Sequence, residues 1–324
     1  MSPHNLLHHC LGKAQALFSY IQAKLQVYLS HPLILKSLGL IATIHLLRSI
    51  NSYLSRNAQN NWVRTQPWNP SNEIILLTGG SSGIGKQIMQ DLVKLDVKAI
   101  IVFDIHEPGF ELPKNVTFHK VDVTSPTSIK TTASLIRKTH GPPTILINNA
   151  GVSFANSILD EPEEQIRLTF EVNVLAHFWA VREFLPSMLR SNHGHVVTMA
   201  SMAGFAAVGG LADYSASKAA VVGFHEGLTQ EVRHCIIHPL YVQTPMTSVL
   251  VENRERFGQP IMTAEKVSQA VVRQLVNGDG GQVVVPASHG AVALLRGLPG
   301  WLQEELRDYS SRAFVRLREL ERGI

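Results

Sequence analysis

Three residues in the second half of the chain have types and spacing suited to proton transfer. Tyr214 and Lys218 are four residues apart in a stretch, 213–230, whose pattern predicts a helix, so both side chains project from one face. Lowering the pKa of a phenol by about three units requires roughly 4 kcal/mol of preferential anion stabilisation, which a partly buried ammonium, helped by the positive nicotinamide ring of an oxidised cofactor, could supply. Ser201 follows a predicted strand and can hydrogen-bond a substrate oxygen beside Tyr214. The three residues predict acid–base chemistry, although Tyr-x-x-x-Lys alone is most often a solvated surface pair.

A glycine-rich turn near residue 80 is the second chemical signal. An apolar run at 73–78 predicts a strand, and it is followed by Gly-Gly-Ser-Ser-Gly-Ile-Gly at 79–85 and then by a helical pattern to residue 95. Glycines let the backbone approach a pyrophosphate, and the start of the next helix favours its negative charge. The predicted contacts of this turn are Gly79, Ser81, Ser82, Gly83, Ile84 and Gly85.

Asp104 lies 25 residues after Gly79, at the end of a second predicted strand, 99–103. A carboxylate in this position accepts hydrogen bonds from the ribose hydroxyls of a dinucleotide and repels a 2′-phosphate. The turn itself offers no basic side chain to hold such a phosphate. The pattern therefore favours NAD over NADP, whereas without the glycine turn Asp104 would be an ordinary residue at a strand end.

The elements that must position these residues alternate along the chain. Further strands are predicted at 116–121, 144–147, 195–199 and 282–286, separated by helical stretches that include 126–140 and 163–190. Such alternation predicts an α/β fold, a Rossmann-like doubly wound parallel sheet with helices on both faces. We assign the NAD-binding catalytic domain to residues 73–290.

The ordered motifs resemble the classical short-chain dehydrogenases/reductases. The resemblance rests on Thr-Gly-Gly-Ser-Ser-Gly-Ile-Gly from Thr78, Asp122-Val123, Asn148-Asn149-Ala150-Gly151, Asn173, Ser201 and Tyr214-Ser-Ala-Ser-Lys218. It implies that Tyr214 is the general acid/base, that Lys218 binds the nicotinamide ribose and lowers the tyrosine pKa, and that Ser201 orients the substrate. It also implies a proton-relay water on Asn173.

The same resemblance assigns further cofactor contacts. Asp122 and Val123 would flank the adenine, and residues 148–151, which include Asn149, Ala150 and Gly151, would brace the sheet beside it. Thr244 would contact the carboxamide of the cofactor, and the cofactor itself would be NAD. The basic, apolar leader and Asp104 are most similar to the membrane-bound branch with retinol and hydroxysteroid dehydrogenases.

The amino-terminal region differs from the rest in charge. Residues 1–72 contain six basic residues and no acidic one, while the net charge of the whole chain is +4, so residues 73–324 sum to −2. Basicity confined to an apolar-rich segment without a nucleic-acid-binding module argues against a nucleic-acid partner. The two cysteines, Cys10 and Cys235, fit neither a disulfide framework nor a zinc spacing, and we expect no metal.

Residues 1–50 are predicted to be a helical membrane anchor. Apolar residues from Leu11 to Leu29 recur at helical spacing, and the run from Leu33 to Leu47 covers roughly 22 Å against the ~30 Å hydrocarbon layer. A monotopic or hairpin anchor is therefore favoured, while a tilted span extending to Ile50, a soluble arm and a mitochondrial presequence stay open. Residues 51–72, rich in Asn, Gln, Ser and Pro, are predicted to be a linker.

The segment after the catalytic helix departs from the family pattern. Lys218 and Pro239 are 21 residues apart, roughly eight fewer than in the family pattern. A normal helix-to-strand connection has only about 2 to 6 residues, so the connection alone cannot absorb the difference. We expect the helix to lose its last turns near Gly227, or the sixth strand to lose residues, with catalysis impaired. A true deletion and a mis-spliced gene model both explain the shortening.

The region after residue 245 is expected to determine what binds. Residues 245–262 resemble a substrate-covering segment, and the helical tail, 291–324, packs on the body or lies on the bilayer. We predict a homodimeric NAD-dependent oxidoreductase, anchored at the endoplasmic reticulum or a lipid droplet, that interconverts a lipophilic alcohol, such as a sterol, retinoid or isoprenoid, and its carbonyl. The alternative is a catalytically impaired nucleotide-binding scaffold on membranes.

Overall fold

The computed structural model describes residues 15, 18–22, 24, 31–60, 62 and 68–321, and side chains to residue 315 in the last helix. The chain divides into two compact units, Met1–Ala58 and Gln59–Ile324. The predicted amphipathic helix from Leu11 to Leu29 lies mostly outside the described residues.

Helix α1, Pro32–Gln59, is long and apolar enough to cross a membrane, and none of its residues is buried. Its 28 residues extend about 42 Å at 1.5 Å per residue, well beyond the apolar run on which the sequence estimate rested. Residues 51–59, assigned to the linker from their polar composition, are helical. The reason is that neither proline nor glycine occurs between residues 40 and 66 to end the helix.

The second unit contains a seven-stranded parallel sheet with the strand order β3-β2-β1-β4-β5-β6-β7. The strands are β1 Ile74–Thr78, β2 Ala99–Asp104, β3 Val116–Lys120, β4 Ile145–Asn148, β5 His195–Met199, β6 His234–Pro239 and β7 Gly281–Val285. Every residue of β1 is buried because both faces of the sheet are covered. The predicted Rossmann-like fold is confirmed.

Two layers of helices cover the sheet. The helices of this unit are α2 Gly83–Val93, α3 Pro126–Thr139, α4 Glu163–Phe170, α5 Ala176–Ser191, α6 Ala212–Glu231, α7 Ser248–Glu252, α8 Arg254–Phe257, α9 Ala264–Asn277 and α10 Gly300–Glu321. Helices α2 and α9 pack with Ile75 and Leu77 of β1, whereas α3, α5 and α6 pack with Ile74 and Leu76. This alternation along β1 is the period-two pattern of a strand buried on both sides.

The catalytic helix and the sixth strand are both intact, which corrects the sequence expectation. Helix α6 continues through Gly227 to Glu231, and only Val232 and Arg233 separate it from β6. All six residues of β6 are buried, and the strand pairs with β5 and with β7. The shortening is accommodated because Val232 is extended, so the chain leaves the helix directly into the strand.

Gly227 provides a test of this continuous helix. An added Cβ at Gly227 meets no atom within 4 Å, and the residue lies inside α6. Gly227→Ala is therefore expected to raise the free energy of unfolding in urea by about 0.5–1 kcal/mol, since alanine is the better helix former. If the helix instead ended there in a left-handed glycine cap, the same variant would be destabilised.

The carboxyl-terminal tail packs on the body of the second unit. After β7, a 3₁₀ segment at Ala287–Gly297 leads into α10. Phe314 of α10 is buried in a cluster with Val208, Leu250 and Phe257. The sequence left open whether the tail packs on the body or lies on the bilayer, and in the structure it packs on the body.

Candidate active site

A cavity of about 780 Å³ lies at the carboxyl ends of the central strands. Its inner end is formed by Asn149 and Gly151 after β4 and by Ser201 after β5, together with Tyr214 and Lys218 of α6. Ligands bind at this edge in open parallel α/β sheets. One continuous space is therefore lined by the predicted catalytic residues Ser201, Tyr214 and Lys218 and, among the predicted cofactor contacts, by Ile84, Asn149, Gly151 and Thr244.

The three predicted catalytic side chains meet at the inner end of this cavity. Tyr214 hydrogen-bonds to the Ser201 side chain. The Lys218 ammonium lies 5.6 Å from the centre of the Tyr214 ring and donates a hydrogen bond to the Met199 carbonyl at 3.1 Å. Ser201 also accepts a hydrogen bond from the Ala203 amide at 3.2 Å, which fixes the start of the following 3₁₀ turn, Met202–Gly204.

Burial works against the ionised form of both Tyr214 and Lys218. It raises the pKa of Tyr214, and the hydrogen bond with Ser201 only partly offsets this. Burial also lowers the pKa of Lys218 to about 8. In the protein without ligand both side chains therefore favour their neutral forms, because burial disfavours the phenolate and the ammonium alike.

Asn173 lies in a π-helical turn, Glu171–Leu175, that joins α4 to α5. Its side chain is fully buried and bridges two elements, accepting from the Val152 amide at 2.8 Å and donating to the Ser217 hydroxyl at 3.0 Å. A Cβ added to Gly151 would lie 3.2 Å from Asn173 Oδ1 and 3.6 Å from Lys218 Nζ. The structure thus brings Asn173 next to the catalytic lysine, and the relay water stays a prediction.

The glycine turn leaves room that side chains would fill. Gly79 and Gly83 have positive φ angles, +67° and +53°, which favour glycine. A Cβ at Gly85 would lie 2.0 Å from the Gly79 carbonyl oxygen, and one at Gly83 would lie 3.2 Å from Thr244 Cγ2. With Ser82 preceding the first turn of α2, this cradle fits a dinucleotide pyrophosphate, and Thr244 lies over it.

Asp104 is held against the same turn. Its carboxylate accepts hydrogen bonds from the Ser81 amide at 3.0 Å and from the His106 amide at 3.1 Å. The Ser81 hydroxyl donates to the His106 carbonyl at 2.8 Å. The negative charge is therefore fixed at the end of β2, beside the position predicted for the ribose.

The remaining predicted cofactor residues lie along the neighbouring strand ends. Asn149 donates from its side chain to the carbonyls of Thr78 and Gly79, both at 3.0 Å, and the Ala150 amide donates to the Thr78 hydroxyl. The exposed Asp122 accepts from the Thr124 amide and hydroxyl, and Val123 is buried. The segment at 149–151 thus braces the glycine turn, and its position beside the adenine stays a prediction.

Several functional neighbours are not apparent from the sequence motifs. Leu295, Leu306, Tyr309 and Phe314 of the tail line the outer part of the cavity. The ring of His238 in β6 lies 3.4 Å from the Ser201 carbonyl oxygen and 4.5 Å, centre to centre, from the Phe205 ring. The apolar repeat after residue 294 is a signal for the tail, but its contact with the cavity depends on how the chain folds back.

Comparison with known proteins identifies the class of protein. Residues 73–255 match the family model for the short chain dehydrogenases. The chain is similar to dehydrogenase RED2 of Cochliobolus heterostrophus, with 44% identity over 57% of this chain and 71% of that protein. It is also similar to estradiol 17-beta-dehydrogenase 11 of Rattus norvegicus, with 34% identity over 74% of this chain and 83% of that protein.

Solved structures agree on the fold. A short chain dehydrogenase/reductase from Burkholderia phymatum in complex with NAD superimposes with a TM-score of 0.63 at 21% identity, covering 71% of this chain and 94% of that one. A 4-hydroxyisoleucine dehydrogenase complexed with NADH gives a TM-score of 0.62, also at 21% identity, covering 66% and 96%.

The chain belongs to the short-chain dehydrogenase/reductase family, and its relatives place it in the hydroxysteroid dehydrogenase branch. It is an oxidoreductase that acts on hydroxyl groups of a small-molecule substrate with a nicotinamide cofactor. The intact β6 and the assembled catalytic residues favour this enzyme over the catalytically impaired scaffold.

Proposed function

We propose that the protein is a membrane-associated, NAD-dependent oxidoreductase that interconverts a lipophilic alcohol and its carbonyl. The observation that carries the substrate class is the cavity, in which Ser201 and Tyr214 form a small polar end and most of the remaining wall is apolar. A wall of this kind binds the hydrocarbon body of a substrate while its few polar groups fix the reacting oxygen.

The entrance of the cavity supports the same substrate class. Met246, Val249 and Leu306 line the cavity and are also solvent-exposed, so the opening is bordered by apolar side chains. Relatives named estradiol 17-beta-dehydrogenase 11 and 17-beta-hydroxysteroid dehydrogenase 13 support a sterol, and retinoids and isoprenoid alcohols belong to the same chemical class.

The catalytic residues supply binding and proton transfer. Bound NAD supplies the hydride acceptor and a positively charged ring. The Ser201 hydroxyl donates a hydrogen bond to the substrate oxygen, and Tyr214 Oη takes the hydroxyl proton as the carbonyl forms. The Lys218 ammonium stabilises the Tyr214 phenolate that accepts this proton, and Asn173 holds the route by which the lysine then exchanges protons with water.

Asp104 supports NAD as the preferred cofactor because its fixed carboxylate repels a 2′-phosphate. Asp104→Asn keeps an acceptor for the Ser81 amide and removes the charge. We expect it to lower the ratio of kcat/KM with NAD to that with NADP by about 10-fold, which corresponds to ~1.4 kcal/mol. The exposed Glu107→Gln is the matched control and is expected to leave the ratio unchanged. An unchanged ratio in Asp104→Asn would contradict the NAD assignment.

The proposed reaction is tested by turnover of a panel of sterols, retinoids, isoprenoid alcohols and short water-soluble alcohols with NAD. Lipophilic alcohols are expected to have kcat/KM values at least about 10-fold above those of the short alcohols, since each buried CH₂ contributes about 0.8 kcal/mol. NADH binding without turnover of any member of the panel would instead favour the scaffold.

Helix α1 supports association with a membrane, at the endoplasmic reticulum or a lipid droplet. Its apolar side chains, among them Leu40, Ile44 and Leu47, are exposed. Replacing these three with aspartate is expected to release the protein from membranes in alkaline carbonate, because charges disfavour apolar surroundings. The matched control replaces the polar Ser49 and Ser52 of the same helix. Release of the unmodified chain to the same extent as the aspartate variant would contradict the proposal that α1 anchors the protein in a membrane.

A homodimer is supported by exposed apolar residues in the π-helical turn before α5 and on α5 itself. Leu175 and Phe178 are each 41% exposed on one side of the second unit. Light scattering of the detergent-purified protein should give the mass of two chains, and a monomer mass would contradict this proposal.

A further inference from the structure

Two hydrogen bonds connect the carboxyl-terminal tail to the loop between Ser201 and Tyr214. The Arg296 guanidinium donates to the Gly204 carbonyl at 3.0 Å. The Gly209 amide donates to the Ser311 hydroxyl at 2.8 Å. On the loop, the acceptor of the first bond and the donor of the second are both backbone groups. The tail therefore fixes the backbone between Ser201 and Tyr214.

The loop in turn is tightly coupled to the catalytic residues. Gly204 ends the 3₁₀ turn that Ser201 caps. A Cβ at Gly204 would lie only 2.7 Å from the Lys218 carbonyl oxygen, so this backbone packs directly against α6. The Val208 amide donates to the Ser215 hydroxyl, next to Tyr214, at 3.3 Å. A displacement of the loop therefore displaces Ser201 relative to Tyr214.

The same tail segment forms the outer wall of the cavity. Leu295 precedes Arg296, and Phe314 lies one helical turn after Ser311 on α10. The Phe314 ring packs on Tyr241 and Phe257, with ring centres 5.7 Å and 5.6 Å apart. In the tail, residues that line the cavity are therefore interspersed with residues that hydrogen-bond to the loop. All of these tail residues lie beyond residues 73–255, the part that matches the family model.

We propose that Arg296 and Ser311 are positioning residues, through which the tail, closed on a lipophilic substrate, keeps Ser201 and Tyr214 in their reactive arrangement. This inference rests on the proposed function. Both bonds are formed near the surface, where Arg296 and Gly209 are exposed, so they contribute little to global stability. Their effect is expected in turnover, which depends on sub-ångström placement of the reacting groups.

The first experiment measures the tail–loop contact without turnover. The Gly209 amide is itself the donor to Ser311, so its hydrogen exchange reports the contact directly. In the full chain, Ser311→Ala is expected to speed exchange of this amide by at least about 10-fold. Ser311→Thr retains the hydroxyl and is expected to restore protection. The control is Arg312→Met, because Arg312 pairs with Asp308 within α10 and its side chain is 63% exposed.

The second experiment separates positioning from stability in the same variants. Arg296→Met and Ser311→Ala are each expected to lower kcat for a lipophilic alcohol about 10-fold, with the Kd for NADH and the Tm close to those of the unmodified protein. Arg296→Lys retains a donor and is expected to recover part of kcat. Both bonds are formed without substrate, so the kcat of short alcohols is expected to fall by a similar factor in these two variants.

The outcomes distinguish this inference from the proposed function. If the unmodified protein turns over lipophilic alcohols but Arg296→Met and Ser311→Ala match Arg312→Met, the positioning role is overturned. A parallel loss of kcat, NADH affinity and Tm overturns it as well, because the residues are then merely structural. If no alcohol turns over, the proposed function fails, and fast exchange at Gly209 in the unmodified protein overturns the contact on its own.

Discussion

Tyr214→Phe is expected to lower kcat/KM for alcohol oxidation by about 10²- to 10⁴-fold, the range that a positioned acid–base group contributes. The variant keeps the ring, which lies in the cavity wall, and removes only the hydroxyl that hydrogen-bonds to Ser201. The Kd for NADH, measured by fluorescence titration, is expected to stay within about 3-fold, because the glycine turn and Asp104 are untouched.

Tyr241→Phe is the matched control for this prediction. Tyr241 also lines the cavity and is largely buried, and burial raises its pKa to about 12, so it stays protonated at neutral pH. Its ring contacts Phe257 and Phe314 rather than Ser201. We expect less than a 10-fold loss from this variant. Comparable losses in the two tyrosine variants would show that the hydroxyl of Tyr214 has no special role.

The second large effect is expected at the glycine turn. In Gly85→Ala the new Cβ would lie 2.0 Å from the Gly79 carbonyl oxygen and 2.6 Å from Asn149 Nδ2, both of which belong to the turn and its brace. Backbone atoms have to move, because the 2.0 Å contact is with a backbone oxygen and Asn149 Nδ2 is itself hydrogen-bonded to the carbonyls of Thr78 and Gly79. We expect NADH affinity to fall at least about 100-fold, since the turn can no longer follow the pyrophosphate.

Gly227→Ala is the control for the added methyl group, as it places the same Cβ in open space on α6. Calorimetric titration with NADH and urea unfolding of both variants separate loss of the site from loss of the fold. NADH affinity in Gly85→Ala equal to that of the Gly227→Ala control would contradict the assignment of the turn to the cofactor.

The pKa shifts at the catalytic residues explain why the phenol depends on its ligands. Burial raises the pKa of Tyr214 and lowers that of Lys218 to about 8, so the protein alone favours the neutral phenol. The positive ring of an oxidised nicotinamide cofactor would add the electrostatic stabilisation that the lysine alone does not provide. We therefore expect the tyrosine to titrate at lower pH with oxidised cofactor bound than without it.

Local patterns were sufficient to predict the sheet, the glycine turn and the catalytic group. Fully buried strands appear as continuous apolar runs, and turns that approach a phosphate require glycine. Both features can therefore be predicted from a short stretch of sequence. Tyr214 and Lys218 lie one helical turn apart, and their shared face follows from helix geometry. Their proximity to Ser201 was implied by the resemblance, and in the structure all three residues line the same cavity.

Features that depend on distant parts of the chain required the tertiary structure. The short segment between Lys218 and Pro239 suggested a damaged helix or strand, yet an extended Val232 lets α6 enter β6 directly. The contacts of Arg296 with Gly204 and of Ser311 with Gly209 join residues about a hundred positions apart. Apolar spacing specifies that the tail has a face to bury, but that face fits a bilayer as well as a protein surface. The choice between them depends on the shape of the surface that the folded second unit presents.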